Sequence, residues 1–334
     1  MKAFTFVRPR TVDAAVAALA ETGGAVHAGG VDLLDRMKEH VDEPSHLVTL
    51  LDVPGRDAIA LEDDGGVHLG AGVTLAALAE NDVVRRFLPS LAEAAGQAAS
   101  PAIRHRATLG GNLAQRTRCG YFRIASFSCL KRGADACPVR AETGVQETAA
   151  VFANEPCASA HPSSLAPVLQ SLGAQLGVQG PKGARSVSLA EAWRAPEKGV
   201  AGDLALAADE LITAIVVPPR TRPQRVGYEE VRQKAAFDWA LVSCGVRVEL
   251  DDDGRVSDAS IVLGSVAPTP WVATAAEAAL RGKAFGAEPI AAAAKAATQG
   301  ATPLSGNTYK VRLVEVAVRR ALTRALEGAK GGAR

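Results

Sequence analysis

Four of the chain's five cysteines, Cys119, Cys129, Cys137 and Cys157, share one stretch with the spacing C-x9-C-x7-C-x19-C, while Cys244 stands apart. Four thiolates make a complete ligand set for an iron–sulfur cluster. Soft sulfur donors favour iron–sulfur or zinc over hard cations. Zinc fingers set their cysteines in C-x2-4-C pairs, and this segment has none. Arg116, Arg118, Arg123, Lys131, Arg132 and Arg140 surround the first three cysteines against a single acid, Asp135. Cations at that density would steady a negatively charged cluster and raise its potential. Clustered cysteines in a reducing compartment point to metal or redox chemistry rather than disulfides. Spacing alone leaves three readings open: a cluster, a structural zinc site, and unrelated thiols on a solvated basic loop. Cys244 lies in the apolar run Ala240–Val246 and reads as buried packing.

Two glycine loops form the second group. Val26-His27-Ala28-Gly29-Gly30-Val31-Asp32-Leu33-Leu34 runs from a strand through glycines into a helix. Such glycines let backbone N–H groups approach a pyrophosphate, and the helix N-terminus adds a favourable dipole. A plain turn fits the same residues, because the G-x-G-x-x-G spacing is absent. Thr108-Leu109-Gly110-Gly111-Asn112 is a similar loop with a hydroxyl and an amide to add hydrogen bonds. Two such loops could clamp opposite sides of one dinucleotide.

Other chemistry is not encoded. The six histidines show no H-E-x-x-H or facial-triad spacing. No P-loop and no G-x-S-x-G elbow occur. His161 reads as a structural loop histidine rather than a proton relay.

The elements that would hold these groups follow from periodicity. A strand over 2–8, a helix over 12–21 capped by Thr11, a strand over 25–30, a helix over 32–39 and a strand over 46–53 form the first unit. A hairpin joins 58–61 to 67–70 around Asp63–Gly66, and helices follow over 74–80 and 82–97. From 116 to 160 periodicity is lost, which marks an inserted loop of functional length. Pro218, Pro219 and Pro223 mark a linker at 220–223. Three antiparallel strands are expected over 227–234, 239–250 and 257–266, then helices over 272–282, 287–299 and 307–327. Trp239, Trp271 and Tyr309 read as core or interface anchors.

The chain's 334 residues suit two domains. A net charge of +1 and 4% aromatic residues exclude a nucleic-acid surface. No apolar run approaches the roughly 20 residues of a membrane span. No secretory signal is visible in Met1–Arg10, so a cytoplasmic protein is expected, or a periplasmic one if a partner subunit carries an export signal.

The motifs together resemble the FAD subunits of the molybdenum-hydroxylase family, which includes carbon monoxide dehydrogenases, xanthine dehydrogenases, 4-hydroxybenzoyl-CoA reductases and periplasmic aldehyde oxidoreductases. Ala28 to Leu34 is similar to that family's A-G-G-T-x-L-[IL], with Val31 for Thr. Ile103 to Asn112 is similar to I-R-N-x-A-T-[LI]-G-G-N, with His105 for Asn. His161-Pro162-Ser163-Ser164-Leu165-Ala166-Pro167 resembles H-P-S-D-L-A-P, and Glu210–Ile215 resembles the strand that brings an aliphatic residue to the flavin. Phe237–Val242 and Leu263–Pro270 resemble the family's C-terminal domain. The four-cysteine insertion resembles the 4-hydroxybenzoyl-CoA reductase and periplasmic aldehyde oxidoreductase branch, which implies a [4Fe–4S] cluster on Cys119, Cys129, Cys137 and Cys157.

The resemblance implies an α+β fold. A two-subdomain PCMH-type FAD-binding domain would span 1–219, divided into 1–55 and 56–219 with the insert at 116–160. A C-terminal domain over 224–328 would carry a three-stranded antiparallel sheet with helices. It implies FAD held by Val26–Leu34, Thr108, Gly110, Gly111, Asn112, Ser164, Ile212 and Glu230, with Ile212 on the isoalloxazine. Partners would be a molybdopterin-binding large subunit and a small [2Fe–2S] subunit. This chain would pass electrons to an external acceptor and would not touch the organic substrate. Three positions depart from the pattern: Ser164 replaces an Asp, Glu230 lies near where relatives place a Lys, and Gly120 replaces a larger residue. Two alternatives remain: a stand-alone flavoprotein oxidase, for which no base is evident, and a non-catalytic iron–sulfur or zinc scaffold without flavin.

Overall fold

The computed structural model describes residues 1–220, 222–234 and 237–331. Thr221, inside the expected linker, and Gly332 lie outside the described residues. The chain opens with β1 (Thr5–Val7), α1 (Val12–Thr22), β2 (Ala25–His27), α2 (Val31–Lys38) and β3 (His46–Thr49). The strands form a parallel sheet in the order β1-β3-β2. Thr11 Oγ1 accepts the Ala14 N–H at 3.1 Å and caps α1, and Gly23, at φ 58°, closes it. The buried face of α1, Ala15, Val16 and Leu19, packs with Val48 and Leu211 and ties this small sheet to the rest of the molecule.

Next come β4 (Ile59–Leu61), β5 (Val67–Gly70), α3 (Leu75–Glu80), α4 (Asp82–Phe87) and α5 (Pro89–Gln97). The single helix expected over 82–97 is two. Leu88 leaves the helical region at φ −131° and ψ 53°, and Pro89 restarts the helix at its first position, where its missing N–H costs nothing. α6 (Pro101–Arg104) and α7 (Leu109–Leu113) precede the insert, whose regular structure is α8 (Gly120–Arg123) and single 3-10 turns at Leu130–Arg132 and Pro138–Arg140.

α9 (Leu165–Ser171), β6 (Gln175–Gly180), β7 (Gly183–Ser188) and β8 (Leu211–Val217) follow. The five-stranded sheet has the order β4-β5-β8-β6-β7, every pair antiparallel. β8 is its centre. The register shifts between the pairs Gly177–Ala214 and Val178–Ile212, which leaves Thr213 of β8 as the extra residue of a bulge; bulges re-aim side chains beside sites.

The C-terminal part holds β9 (Gln224–Val231), β10 (Val242–Leu250), β11 (Val256–Gly264), β12 (Trp271–Val272), α10 (Thr274–Leu280), α11 (Ala287–Ala296) and α12 (Tyr309–Gly331). The expected three antiparallel strands are present, and β12 adds a short fourth, in the order β12-β11-β10-β9. Val272, expected to open a helix, therefore pairs with β11 beside Trp271. Helices α10 to α12 share one apolar core with this sheet, and α9 lies against the other face. A Cβ on Gly245 would sit 2.7 Å from Val168 Cα, so only glycine lets α9 lie this close to β10. That contact fixes Ser164 at the start of α9.

The insert does not hang free. The N–H groups of Val151 and Phe152 both donate to Val266 O, at 2.8 and 3.0 Å, and Thr302 N–H donates to Val151 O at 2.8 Å. Phe152 stacks on Trp271 with ring centroids 4.9 Å apart. Trp271 is thus an anchor as expected. Trp239 and Tyr309 are not core residues; they are exposed.

Candidate functional site

A cavity of about 520 Å3 opens where the first sheet, the five-stranded sheet and the C-terminal sheet meet. It collects both glycine loops. From the first loop Val26, Ala28, Gly29, Gly30, Val31, Asp32 and Leu33 line it; from the second Thr108, Gly110, Gly111 and Asn112 do. Ser164, Ile212 and Glu230 complete the expected set. Two expected residues are turned away. His27 is buried, with Nδ1 3.1 Å from Thr49 Oγ1 and its ring edge-on to Phe6. Leu34 packs with Leu33, Met37 and Leu47 behind the loop. In a strand-to-helix loop the outward residues meet the ligand and their neighbours meet the core, and the motif does not say which is which.

The loops abut each other. A Cβ on Gly29 would lie 1.9 Å from Arg106 O, so the approach to the second loop occupies the space of the missing side chain. Gly30 takes φ 75° at the N-cap of α2, a conformation glycine adopts without cost. Thr108 Oγ1 accepts the Gly111 N–H at 3.2 Å and shapes the turn into α7. Ser163 Oγ donates to Asn112 Oδ1 at 2.6 Å and joins the second loop to the head of α9. The N–H groups of Gly110 and Gly111 already donate to Ala71 O and Thr108 Oγ1, so it is the backbone N–H groups at Gly29 and Gly30, with an apolar wall that includes Ile212, that suit a dinucleotide with a flat ring. The donor set therefore fits FAD.

The charges around the cavity come from the insert as well as from α2. Asp32 lies among the guanidiniums of Arg36, Arg118 and Arg123. Burial alone would raise its pKa, but Arg36, Arg123 and Arg118 together hold it below the ordinary carboxylate value. Burial also pulls Arg118 down to about 10. Arg118 lies over the Trp239 ring at 4.3 Å, a cation–π contact. Both line the cavity, as do Arg56, Phe237 and Asp238. In the sequence Arg118 counts only as a cation near the cysteines, and Trp239 as an anchor. Arg56 gives no signal at all, since its Nη1 reaches Gly72 O from a loop sixteen residues away.

At the opposite wall, Tyr228 Oη donates to Glu230 Oε2 at 2.7 Å, and Arg232 Nε lies 3.6 Å from Glu230 Oε1. Burial pushes the Glu230 carboxyl up, and Tyr228, Arg232 and Ser164 only partly offset it. A buried carboxyl thus stands near the place where the family resemblance implies a Lys.

Cys129 and Cys157 are buried, Cys119 and Cys137 half-buried, and all are free thiols. Burial pushes Cys119 up. Cys137 is pulled down to about 6, first by a hydrogen bond from Cys157. The Cys119 sulfur faces the N–H groups of Tyr121 and Phe122, that of Cys137 the N–H groups of Val139 and Ala158, and that of Cys157 the N–H of Ser159. Sulfur held by backbone donors suits a cluster. Among the described residues no three His, Cys, Asp or Glu side chains are close enough to hold a single metal ion. Cys244 is fully buried in β10, as its apolar surroundings imply. No helix among the described residues is long and apolar enough to cross a membrane.

Residues 2–220 match the family model described as the FAD binding domain in molybdopterin dehydrogenase, and residues 227–325 match the CO dehydrogenase flavoprotein C-terminal domain. The chain is 36% identical to the aldehyde oxidoreductase FAD-binding subunit PaoB of Escherichia coli, covering 94% of this chain and 96% of the relative. It is 29% identical to the carbon monoxide dehydrogenase medium chain of Hydrogenophaga pseudoflava, covering 96% of each. The solved carbon monoxide dehydrogenase from that organism superposes with a TM-score of 0.75 at 29% identity, covering 98% of each chain. With two family models over nearly its whole length, relatives matched end to end and a cavity that fits the flavin, the chain belongs to the FAD-binding subunits of the molybdenum hydroxylases, an oxidoreductase family.

Proposed function

We propose that the chain is the electron-transferring flavin subunit of a heterotrimer, taking electrons from [2Fe–2S] clusters of a small subunit and passing them to an external acceptor. A molybdopterin-binding large subunit would oxidise or reduce the organic substrate. Residues 1–219 would hold FAD, and residues 224–328 would form the second domain. Bound FAD supplies exchange between two-electron and one-electron steps. The chain's own residues bind it, orient it and tune it. Gly29 and Gly30 offer backbone N–H groups to the pyrophosphate, Gly110 and Gly111 let the second loop approach it closely, Ile212 packs on the ring, and Ser164 and Glu230 face it across the cavity.

We further propose that Cys119, Cys129, Cys137 and Cys157 ligate a [4Fe–4S] cluster. A four-iron cube spreads its thiolates more widely than one ion does, which reconciles a complete four-cysteine set with the lack of a single-ion site among the described residues. The observation that carries the flavin reading is the one cavity that gathers both glycine loops with Ser164, Ile212 and Glu230.

The test is to purify the chain with its co-expressed neighbours and quantify released flavin and iron. About one FAD per chain, with about four irons lost in Cys129→Ser or Cys137→Ser, supports both parts. Flavin without that iron leaves the flavin reading and removes the cluster. Iron or zinc without flavin replaces this reading with a scaffold.

A further inference from the structure

A second cavity, of about 480 Å3, adjoins the flavin cavity. Arg118, Pro162, Asp238 and Trp239 line both and form a common wall. Tyr121, Phe127, Val139 and Leu241 give the second cavity its apolar surface, and Thr117, Cys119, Thr148, Ser159, Gln233 and Ser265 add polar atoms. Its size falls in the range of small-molecule sites, roughly 300–1,000 Å3.

Two of the polar residues in that lining carry groups without partners. His161 is 1% exposed and lines the cavity, and neither ring nitrogen has a hydrogen-bond partner among the described residues. Its Nδ1 lies 3.6 Å from Asp203 Oδ2, and Lys131 already holds the other oxygen of that carboxylate. Arg118 Nε also lacks a partner among the described residues. Buried polar groups without partners are rare in native folds and ask for a reason. A ligand oxygen would give one.

The lining also selects the ligand. Asp238 on the wall disfavours an anion, and the Arg118 charge is already balanced by Asp32. Flat surfaces face the space: the Trp239 ring under Arg118, and the Tyr121–Phe127 pair with centroids 5.4 Å apart. We propose that this cavity is a second ligand site, for a flat, uncharged aromatic molecule with carbonyl oxygens that accept from His161 and Arg118. Quinones are such molecules, and the shared wall is where an electron acceptor of the flavin would sit. That role rests on the proposed electron-transfer reading; the binding itself does not.

The test is equilibrium dialysis of the intact complex against duroquinone, whose fully substituted ring does not add thiols. Ala240→Phe fills the second cavity without touching the flavin cavity, and His161→Phe keeps a ring while removing its nitrogens. The expected result is saturable binding of one duroquinone per chain, at least tenfold weaker in either variant at unchanged FAD content. Three results would overturn the proposal: no saturable binding, binding that both variants leave intact, or binding that appears only after FAD is stripped. A complex without flavin would instead sink the proposed function, and duroquinone binding would still report on this cavity.

Discussion

Asp32 Oδ1 accepts from Arg123 Nη2 at 2.5 Å, across 91 residues of chain. The same carboxylate accepts the Arg116 backbone N–H at 3.0 Å and lies 3.1 Å from Arg118 Nη2. It also pairs with Arg36 within its own helix. One carboxylate at the head of α2 therefore fastens the cysteine insert to the first flavin loop. The basic residues that looked like a field around the cysteines are partly spent on this joint.

Asp32→Asn leaves those guanidiniums without their shared anion. The side chain is only 14% exposed, and breaking a buried ion pair on one side costs about 3–5 kcal/mol. Chemical denaturation should show a loss near the lower end, because Arg36 keeps Asp42 and Arg123 keeps Asp35. The pH dependence has a definite sign. The folded carboxyl is held below its ordinary value of 3.8, so its contribution is full above that value and fades as pH falls through the lower folded one. Wild type and variant should converge only in strong acid. A constant difference at every pH would show that the carboxylate's charge is not what matters.

The glycines make a graded series. Gly29→Ala pushes a methyl to within 1.9 Å of a backbone carbonyl, whereas at Gly120 a Cβ meets nothing within 4 Å. Overpacking of the first kind costs about 1–3 kcal/mol and shifts the loop that faces the flavin. FAD retained through gel filtration should fall sharply in Gly29→Ala and stay at the wild-type level in Gly120→Ala. Equal retention in both would separate the loop contact from flavin binding. Gly120 also shows that a departure from a family pattern need not line the flavin cavity.

What the sequence made legible were the local signals. Thr11 and Gly23 bracket α1 where capping chemistry puts them, and the two glycine loops meet at one cavity. Pairings between distant segments left no local trace. Nothing near Arg56 hints that it reaches Gly72 O, nor does anything around Trp239 disclose that Arg118 covers it. The motif gave Leu34 to the ligand, but its helical phase gives it to the core with Met37. The break at Leu88–Pro89 was readable in principle, since proline opens helices more readily than it continues them.

Glu230 should behave as a strained carboxyl. Burial raises its folded pKa above 4.5 in spite of Tyr228 and Arg232. A raised acid favours the fold at low pH and loses that advantage as pH rises through the folded value. Glu230→Gln removes the charge and keeps an oxygen for Tyr228 Oη. The variant should therefore melt above the wild type at neutral pH, with the gap closing as pH drops below 4.5. In a redox titration, removing a negative charge from the cavity wall should move the flavin midpoint upward. A downward shift would mean that this carboxyl does not face the flavin.

Lys310 ties the insert to the C-terminal sheet from the other side. Its Nζ donates to Ser265 O at 2.7 Å, Ala149 O at 2.9 Å and Thr148 O at 3.2 Å, and the residue is fully buried. Asn307, one turn earlier, donates to Ala149 O and Ala150 O. Lys310→Met keeps much of the side-chain volume and leaves those carbonyls without that donor. Leaving a buried acceptor unsatisfied costs about 1–3 kcal/mol, so unfolding should become easier by roughly that amount or more. The loss should fall on the segment that leads to Cys157, because Ala150 N–H donates to Ala158 O at 2.8 Å. If the cysteines hold iron, Lys310→Met should release it to a chelator faster than the wild type while retaining FAD, since none of the residues whose carbonyls Lys310 bonds lines the flavin cavity. Equal release rates, with the stability loss present, would show that the insert's anchoring and the cluster's retention are independent.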